Sequence, residues 1–377
     1  MAWQLTGGEV LGRGQSALAL RDGLVADDAG SGRHFDATGL LLAPGLCDVH
    51  GDGFERNLAP RPGVLFPIET ALLATDRDLI SNGITTAWLA LTIGWEPGLR
   101  SLEMAARIID ALERVRPQLR CEIRLQLRWE IFALEAVPAV EKWLHLQPRP
   151  VLAFNDHLSG MITDKGGRLA KDVTTMAKRA GIANDAYTQL VQDLWARADE
   201  VPEAVARLSA AARAAGVTCF AHDEADAASR QKNRAGGIVV SEFPLSAEAA
   251  GDAVAAGEET VLGAPNVVRG GSHIGCLDAA PAISDGFCTV LASDYYYPSM
   301  LQALTRLKAD GVLPLDQAWR LMSSNAARAC GLSDRGTLEP GQRGDVIALA
   351  RTSAGLTVEA VFRGGEPVLV RDAARIG

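Results

Sequence analysis

His50 and Asp52 stand one residue apart at the end of the apolar run "LLAPGLCDVHGD". In an extended strand that spacing turns both side chains to the same side. A lone histidine there reads equally well as a structural residue. A second donor two positions on does not follow from packing, and imidazole with carboxylate is the donor chemistry of zinc, manganese or iron. Other apolar runs end the same way. Glu130 closes "CEIRLQLRWE", His157 follows "VLAFNDH", His222 closes "VTCFAH", and Asp294 follows "FCTVLAS". Three of the chain's six histidines therefore sit at strand ends, outside any helical stretch.

The six residues fit a centre of one or two divalent ions, zinc first, with manganese or iron as alternatives. His50 and Asp52 would hold one ion and His157 and His222 another. Glu130 would lie between ions about 3.5–4 Å apart. Asp294 would join the first ion, hold the attacking water and take its proton.

A second group lies in "GAPNVVRGGSHIG", residues 263–275. Consecutive glycines can present backbone N–H groups, and side-chain donors stand beside them. Asn266, Arg269, Gly270, Gly271, Ser272 and His273 are thus candidates to cradle phosphoryl oxygens, with a tight turn as the plain alternative. Arg56 and Arg61 in "ERNLAPRPG", and Arg128 beside Glu130, suit an anionic substrate, though each could equally pair with a carboxylate. Of Tyr295, Tyr296 and Tyr297, at least one should face the pocket, and Tyr295 is the candidate. Lys165, Lys171 and Lys178 read as a solvated face.

These residues need a frame. Between residues 45 and 332, short apolar runs alternate about eight times with amphipathic, alanine-rich stretches such as "SLEMAARIIDALERVRP". That alternation predicts parallel βα units closing into a (β/α)8 barrel, an α/β architecture whose sites lie at the C-terminal strand ends. Residues 1–44 and 333–377 read instead as short strands broken by glycine and aspartate. They are expected to form one small β-sandwich built from both termini. Residues 158–200 are too long for a simple connection, which predicts a lid or extra helices.

The net charge of −9 argues against nucleic acid and leaves a small phosphorylated molecule as the expected partner. No run is long and apolar enough for a membrane helix, and no leader precedes the first strand, so the expected location is cytoplasmic. The six cysteines make no C-x-x-C pair and read as free thiols. A homodimer is compatible with this class of barrel, with no segment marking an interface. Neither a G-x-S-x-G nor a P-loop motif occurs.

Taken together, "APGLCDVHGD" and the later strand-end carboxylate, histidines and aspartate resemble the amidohydrolase superfamily, a metal-bearing barrel joined to a small β domain. A narrower resemblance rests on "PRPGV", "NGITTA", "NDH", "HDEA", "GAPNVVRGGSH" and "SDYYYP". These are similar to the diphosphatase family of the carbon–phosphorus lyase pathway. That likeness implies hydrolysis of α-D-ribose 1-methylphosphonate 5-triphosphate to the 5-phosphate and pyrophosphate. Two departures stand out. The motif is His-x-Asp where the wider superfamily has His-x-His, and no amide residue directly follows Asp52. A sister branch acting on an amide, an N-acyl amino acid or a cyclic amide is the alternative, and a barrel that binds without turnover is the third reading.

Overall fold

The computed structural model describes residues 2–61, 63–162, 173–272 and 276–377. Among them, eight parallel strands follow one another around a ring: β1 Leu46–Gly51, β2 Ile84–Ile93, β3 Glu122–Glu130, β4 Val151–Asn155, β5 Cys219–His222, β6 Val240–Glu242, β7 Glu259–Gly263 and β8 Val290–Ala292. The last gap is closed by a bridge between Gly51 and Asp294. Asp294 N–H donates to the His50 carbonyl and Asp52 N–H donates to the Asp294 carbonyl, both at 2.9 Å. The backbone of the candidate ligands thus seals the barrel they decorate.

Strand periodicity sorts the side chains. Leu89, Leu91 and Ile93 of β2 and Ile123, Leu125, Leu127 and Trp129 of β3 point outward into the main core. There they meet helices such as Leu102–Val115, which buries Ile108, Ile109, Leu112 and Val115. Ser101 caps that helix, accepting from Met104 N–H at 3.1 Å, a contact worth about 1 kcal/mol. The opposite face carries Cys47, Val49, Trp88, Val151, Ala153, Phe220, Val240, Val261, Val290 and Ala292, an apolar plug inside the ring. Two residues further along that inner face the character changes to Arg128 and Glu130, Asn155, His222, Glu242 and Asp294. Apolar below and polar at the mouth is how a barrel stays packed while presenting a site.

β1 departs from regular alternation. Asp48 lies opposite Ala87 and Gly51 opposite Leu89, so three steps oppose two. This bulge lets Val49 stay in the inner plug while the adjacent His50 still reaches the mouth. Gly51 has no room for a side chain, because a Cβ would lie 2.7 Å from Asp48 Oδ2 and 2.9 Å from the Tyr297 ring.

The ends of the chain form two further sheets. One holds Leu24–Ala26, Leu18–Arg21, Ala2–Thr6 and Arg33–Asp36. The other orders Glu366–Val370, Gly355–Arg363, Val346–Thr352, Leu41–Pro44, Glu9–Val10 and Gly14–Gln15. Trp3, Leu5, Phe35, Leu42, Ala348 and Phe362 share one core between them, so the β-sandwich does combine both termini.

After β4, helices Thr174–Ala180 and Asn184–Trp195 pack with Phe132, Leu158 and Met161. Glu96 pins them: Arg179 Nη2 donates to both of its oxygens at 2.7 Å and Tyr187 OH donates at 2.5 Å. Lys178 is exposed here, whereas Lys165 and Lys171 lie outside the described residues. No helix among the described residues is long and apolar enough to cross a membrane. The six cysteines are unpaired and five of them are buried.

Candidate metal centre

Glu242 is the hub of the mouth. It is fully buried and accepts three hydrogen bonds, from His50 Nδ1 at 2.9 Å, His222 Nδ1 at 2.8 Å and Gln126 Nε2 at 2.6 Å. Burial alone would raise its pKa, but the two histidines outweigh it and hold the carboxyl well below the usual range. An ionised carboxylate only accepts, so both histidines must carry their proton on Nδ1. Each is left with an Nε2 lone pair facing the mouth. His157 follows the same rule, with Nδ1 2.5 Å from Glu130 Oε1.

A carboxylate behind each imidazole is the arrangement that orients a metal-binding histidine. The free donors converge in two groups, His50 with Asp52 and Asp294 and His157 with His222 and Asp223, while His50, His222 and Glu242 form the hydrogen-bonded hub behind them. In the second, His157 Nε2 and His222 Nε2 lie 3.7 and 3.6 Å from Asp223 Oδ2. Tetrahedral zinc with bonds of about 2.1 Å needs donor separations of roughly 3.4 Å, so the set fits a divalent ion.

Burial disfavours charge on His50, yet Glu242 opposes it strongly enough to raise the pKa; for His222 burial wins and the pKa falls. An arriving ion would displace any such proton. Burial, reinforced by Asp52 and Asp48, pushes the Asp294 carboxyl up to about 6, although His50 and Arg128 pull the other way. Asp223, Phe243 and Asp294 all adopt left-handed backbone angles, with φ of 58°, 51° and 54°. Side-chain-bearing residues rarely do so, and such strain concentrates where a chain must turn a functional group into place.

The sequence-derived residues distribute unevenly. His50, Asp52, His222 and Asp294 share one cleft of about 200 Å³ with Arg128, Asn266, Arg269, Ser272 and Tyr295. His157 joins the donors through Asp223. Glu130, expected between two ions, has its carboxylate turned to His157 Nδ1, as Glu242 has to the Nδ1 atoms of His50 and His222.

The glycine loop is corrected. Helix Ala264–Arg269 ends there, and its last carbonyls need donors. Gly270 and Gly271 N–H groups go to the Asn266 carbonyl at 3.2 and 3.0 Å, and Ser272 N–H goes to Asp278 Oδ1 at 2.6 Å. Those N–H groups are therefore not free for phosphate, and a helix C-terminus disfavours anions. The Asn266 side chain is also committed, donating to the Leu277 carbonyl and accepting from Ala279 N–H.

Arg269 remains available, exposed, with no ion pair among the described residues. Arg61 lies on an exposed turn bridged to Val64 and does not line the cleft. Tyr295 does line it, beneath Arg56 at 5.7 Å, while Tyr297 packs and Tyr296 is exposed. His273 lies outside the described residues.

Glu242, Asp223, Gln126 and Asn155 were not anticipated. Glu242 had a signal: it ends "GIVVSE" in register with His222 across the β5–β6 pair.

Residues 259–369 match the model of an amidohydrolase family. Among solved structures, N-isopropylammelide isopropylaminohydrolase from Burkholderia multivorans superposes with a TM-score of 0.62 at 17% identity, covering 98% of each chain. The β-aspartyl dipeptidase of Fervidobacterium islandicum gives 0.63 at 15% identity, again with 98% of each chain. At these identities the likeness shows the fold. The α-D-ribose 1-methylphosphonate 5-triphosphate diphosphatase of Escherichia coli K12 is 30% identical over 346 residues, 88% of this chain and 89% of that one. With that likeness running nearly end to end and the family model matching its C-terminal part, the chain belongs to the amidohydrolase family.

Proposed function

We propose that this family hydrolase cleaves a phosphoanhydride, with α-D-ribose 1-methylphosphonate 5-triphosphate as the substrate and the 5-phosphate and pyrophosphate as products. The observation that carries the reading is one cleft lined both by the donor set His50, Asp52, His222 and Asp294 and by two guanidiniums, Arg128 and Arg269. A metal-independent binding protein would have no use for the first group, and an uncharged substrate none for the second.

One or two divalent ions held by these side chains, zinc, manganese or iron, would supply Lewis-acid polarisation at the attacked phosphorus. The protein's own groups do the rest. Arg269 and Arg128 hold phosphoryl oxygens and offset the charge that builds in the transition state. Asp294 takes one proton from the attacking water as the water oxygen bonds to the α-phosphorus. The bond from that phosphorus to the α,β-bridging oxygen breaks, and pyrophosphate leaves with it. Left-handed φ at Asp294 aims its carboxylate over the mouth, where it can accept the proton of the attacking water.

The apolar wall of Phe243, Pro244, Leu245, Leu262 and Leu277 favours a second reading, an amide substrate with an apolar group beside the metal. Metal-loaded protein offered the ribose triphosphate and, separately, N-acyl amino acids and cyclic amides decides between them. Stoichiometric pyrophosphate from the first is expected. Turnover of amides without pyrophosphate release would overturn the proposal.

A further inference from the structure

Arg128 is 5% exposed on the inner face of β3, between the two donor groups of the mouth. Its Nη2 is 3.4 Å from His222 Nε2 and its Nη1 is 3.8 Å from Asp52 Oδ2. From behind, the Asn155 amide, turned to present its oxygen, accepts from Nε and Nη2 at 3.2 Å each. The guanidinium is thus fixed, and it cannot shed its charge by deprotonation as a lysine could.

We infer that the mouth holds one divalent ion, at His50, Asp52 and Asp294, and that Arg128 supplies the positive charge where a second ion would otherwise sit. The inference rests on the metal-dependent reading above. His222 Nε2 is the most deeply buried lone pair of the His157–His222–Asp223 group, and Arg128 already directs an N–H at it. An ion entering there would lose that donor and face a fixed cation at close range. The first group differs: two carboxylates face each other, and Arg128 is too far from Asp52 for a hydrogen bond. The spacing around Asp223 suits an ion, so Arg128 is what keeps that group empty.

Zinc bound per folded chain, measured by elemental analysis after equilibrium dialysis, tests this without reference to turnover. Wild type should hold one ion. Arg128→Gln should rise toward two, and adding Asp223→Asn to it should return the count to one. Arg128→Gln that folds and still holds one ion would overturn the inference. An anomalous-scattering map of the wild-type zinc protein gives a reading that needs no variant. A single peak beside Asp52 and Asp294 supports the inference, and a peak bonded to His222 Nε2 overturns it. Two ions in the wild type defeat this inference alone, whereas none defeats the metal-dependent reading with it.

Discussion

The two ends of the barrel are both crowded with charge, yet they are arranged in opposite ways. At the N-terminal end Glu122 starts β3 and meets Arg343, Arg335 at 3.1 Å and Arg124 at 2.6 Å. Arg335 continues to Asp334 at 2.9 Å and Arg343 to Asp345 at 3.1 Å, carrying the network into the segment that leads to the sandwich. Each charge there is answered by its opposite. At the C-terminal mouth the histidine protons are answered by Glu242 and Glu130, but three imidazole lone pairs and the carboxylates Asp52, Asp223 and Asp294 are aimed at common space. Matched charge holds elements together; converging donors of one kind hold something else. Comparing the two ends separates stability from function within a single ring of strands.

The sharpest way to break the comparison is at the mouth. Asp294→Asn removes a carboxylate that burial and Asp52 already disfavour, so it should leave the melting temperature unchanged or slightly higher. It should lower kcat/KM by about 10³-fold, the scale of a lost general base. Steady-state kinetics beside a thermal melt reads both. A melting temperature that falls with activity in proportion to folded protein would make Asp294 structural and dissolve the distinction.

The next effect belongs to the other end. Burial would raise the Glu122 pKa, but Arg343, Arg335 and Arg124 outweigh it and hold the carboxyl at about 2, against an ordinary 4.5. A depressed carboxylate contributes its stability above the unfolded value and loses it as the pH falls through the folded one. Glu122→Gln should therefore destabilise by about 2–3 kcal/mol at neutral pH. The gap from wild type should close between pH 4.5 and about 2, while kcat per folded molecule stays constant. Chemical denaturation across that range checks the first part, and an altered kcat would show that the two ends are coupled.

The same contrast explains what could be read from the chain beforehand. The barrel was legible because β3, "EIRLQLRWE", alternates outward apolar residues with inward Arg124, Gln126, Arg128 and Glu130, and because six donor-type residues end their strands. Partner choice was not legible. Glu130 is expected between two ions, but it lies opposite Asn155 across the β3–β4 pair, and His157, two residues beyond, turns its imidazole onto the carboxylate. Glu242 is not legible because its role depends on His50, 192 residues away, as much as on His222 nearby. The glycine loop misled for a local reason. Whether its N–H groups serve an anion or a helix end depends on Ala264–Arg269 being helical, and six residues after a strand give little periodic signal.

Glu96 refines the comparison, because it lies near the mouth yet is matched like the far end. Its carboxylate accepts two contacts from Arg179 and one from Tyr187, and it is the polar anchor of helices Thr174–Ala180 and Asn184–Trp195. Burial and the Glu96 bond push the Tyr187 hydroxyl far above its ordinary pKa, so it stays a donor throughout the working range. Beneath the anchor, Phe132, Leu158, Met161 and Val191 pack in an apolar cluster of their own. Glu96→Gln keeps one acceptor oxygen but loses the charge facing Arg179, whose side chain is half exposed. Solvent screening keeps that loss small, about 1 kcal/mol. Amide exchange should quicken severalfold in residues 174–195 and stay unchanged in the barrel strands, because the apolar cluster still seats the helices. If exchange instead quickens at β1 and β8, the anchor supports the ring itself and Glu96 belongs with Glu122. If kcat/KM falls with no change in exchange, Glu96 acts on the reaction and belongs with Asp294.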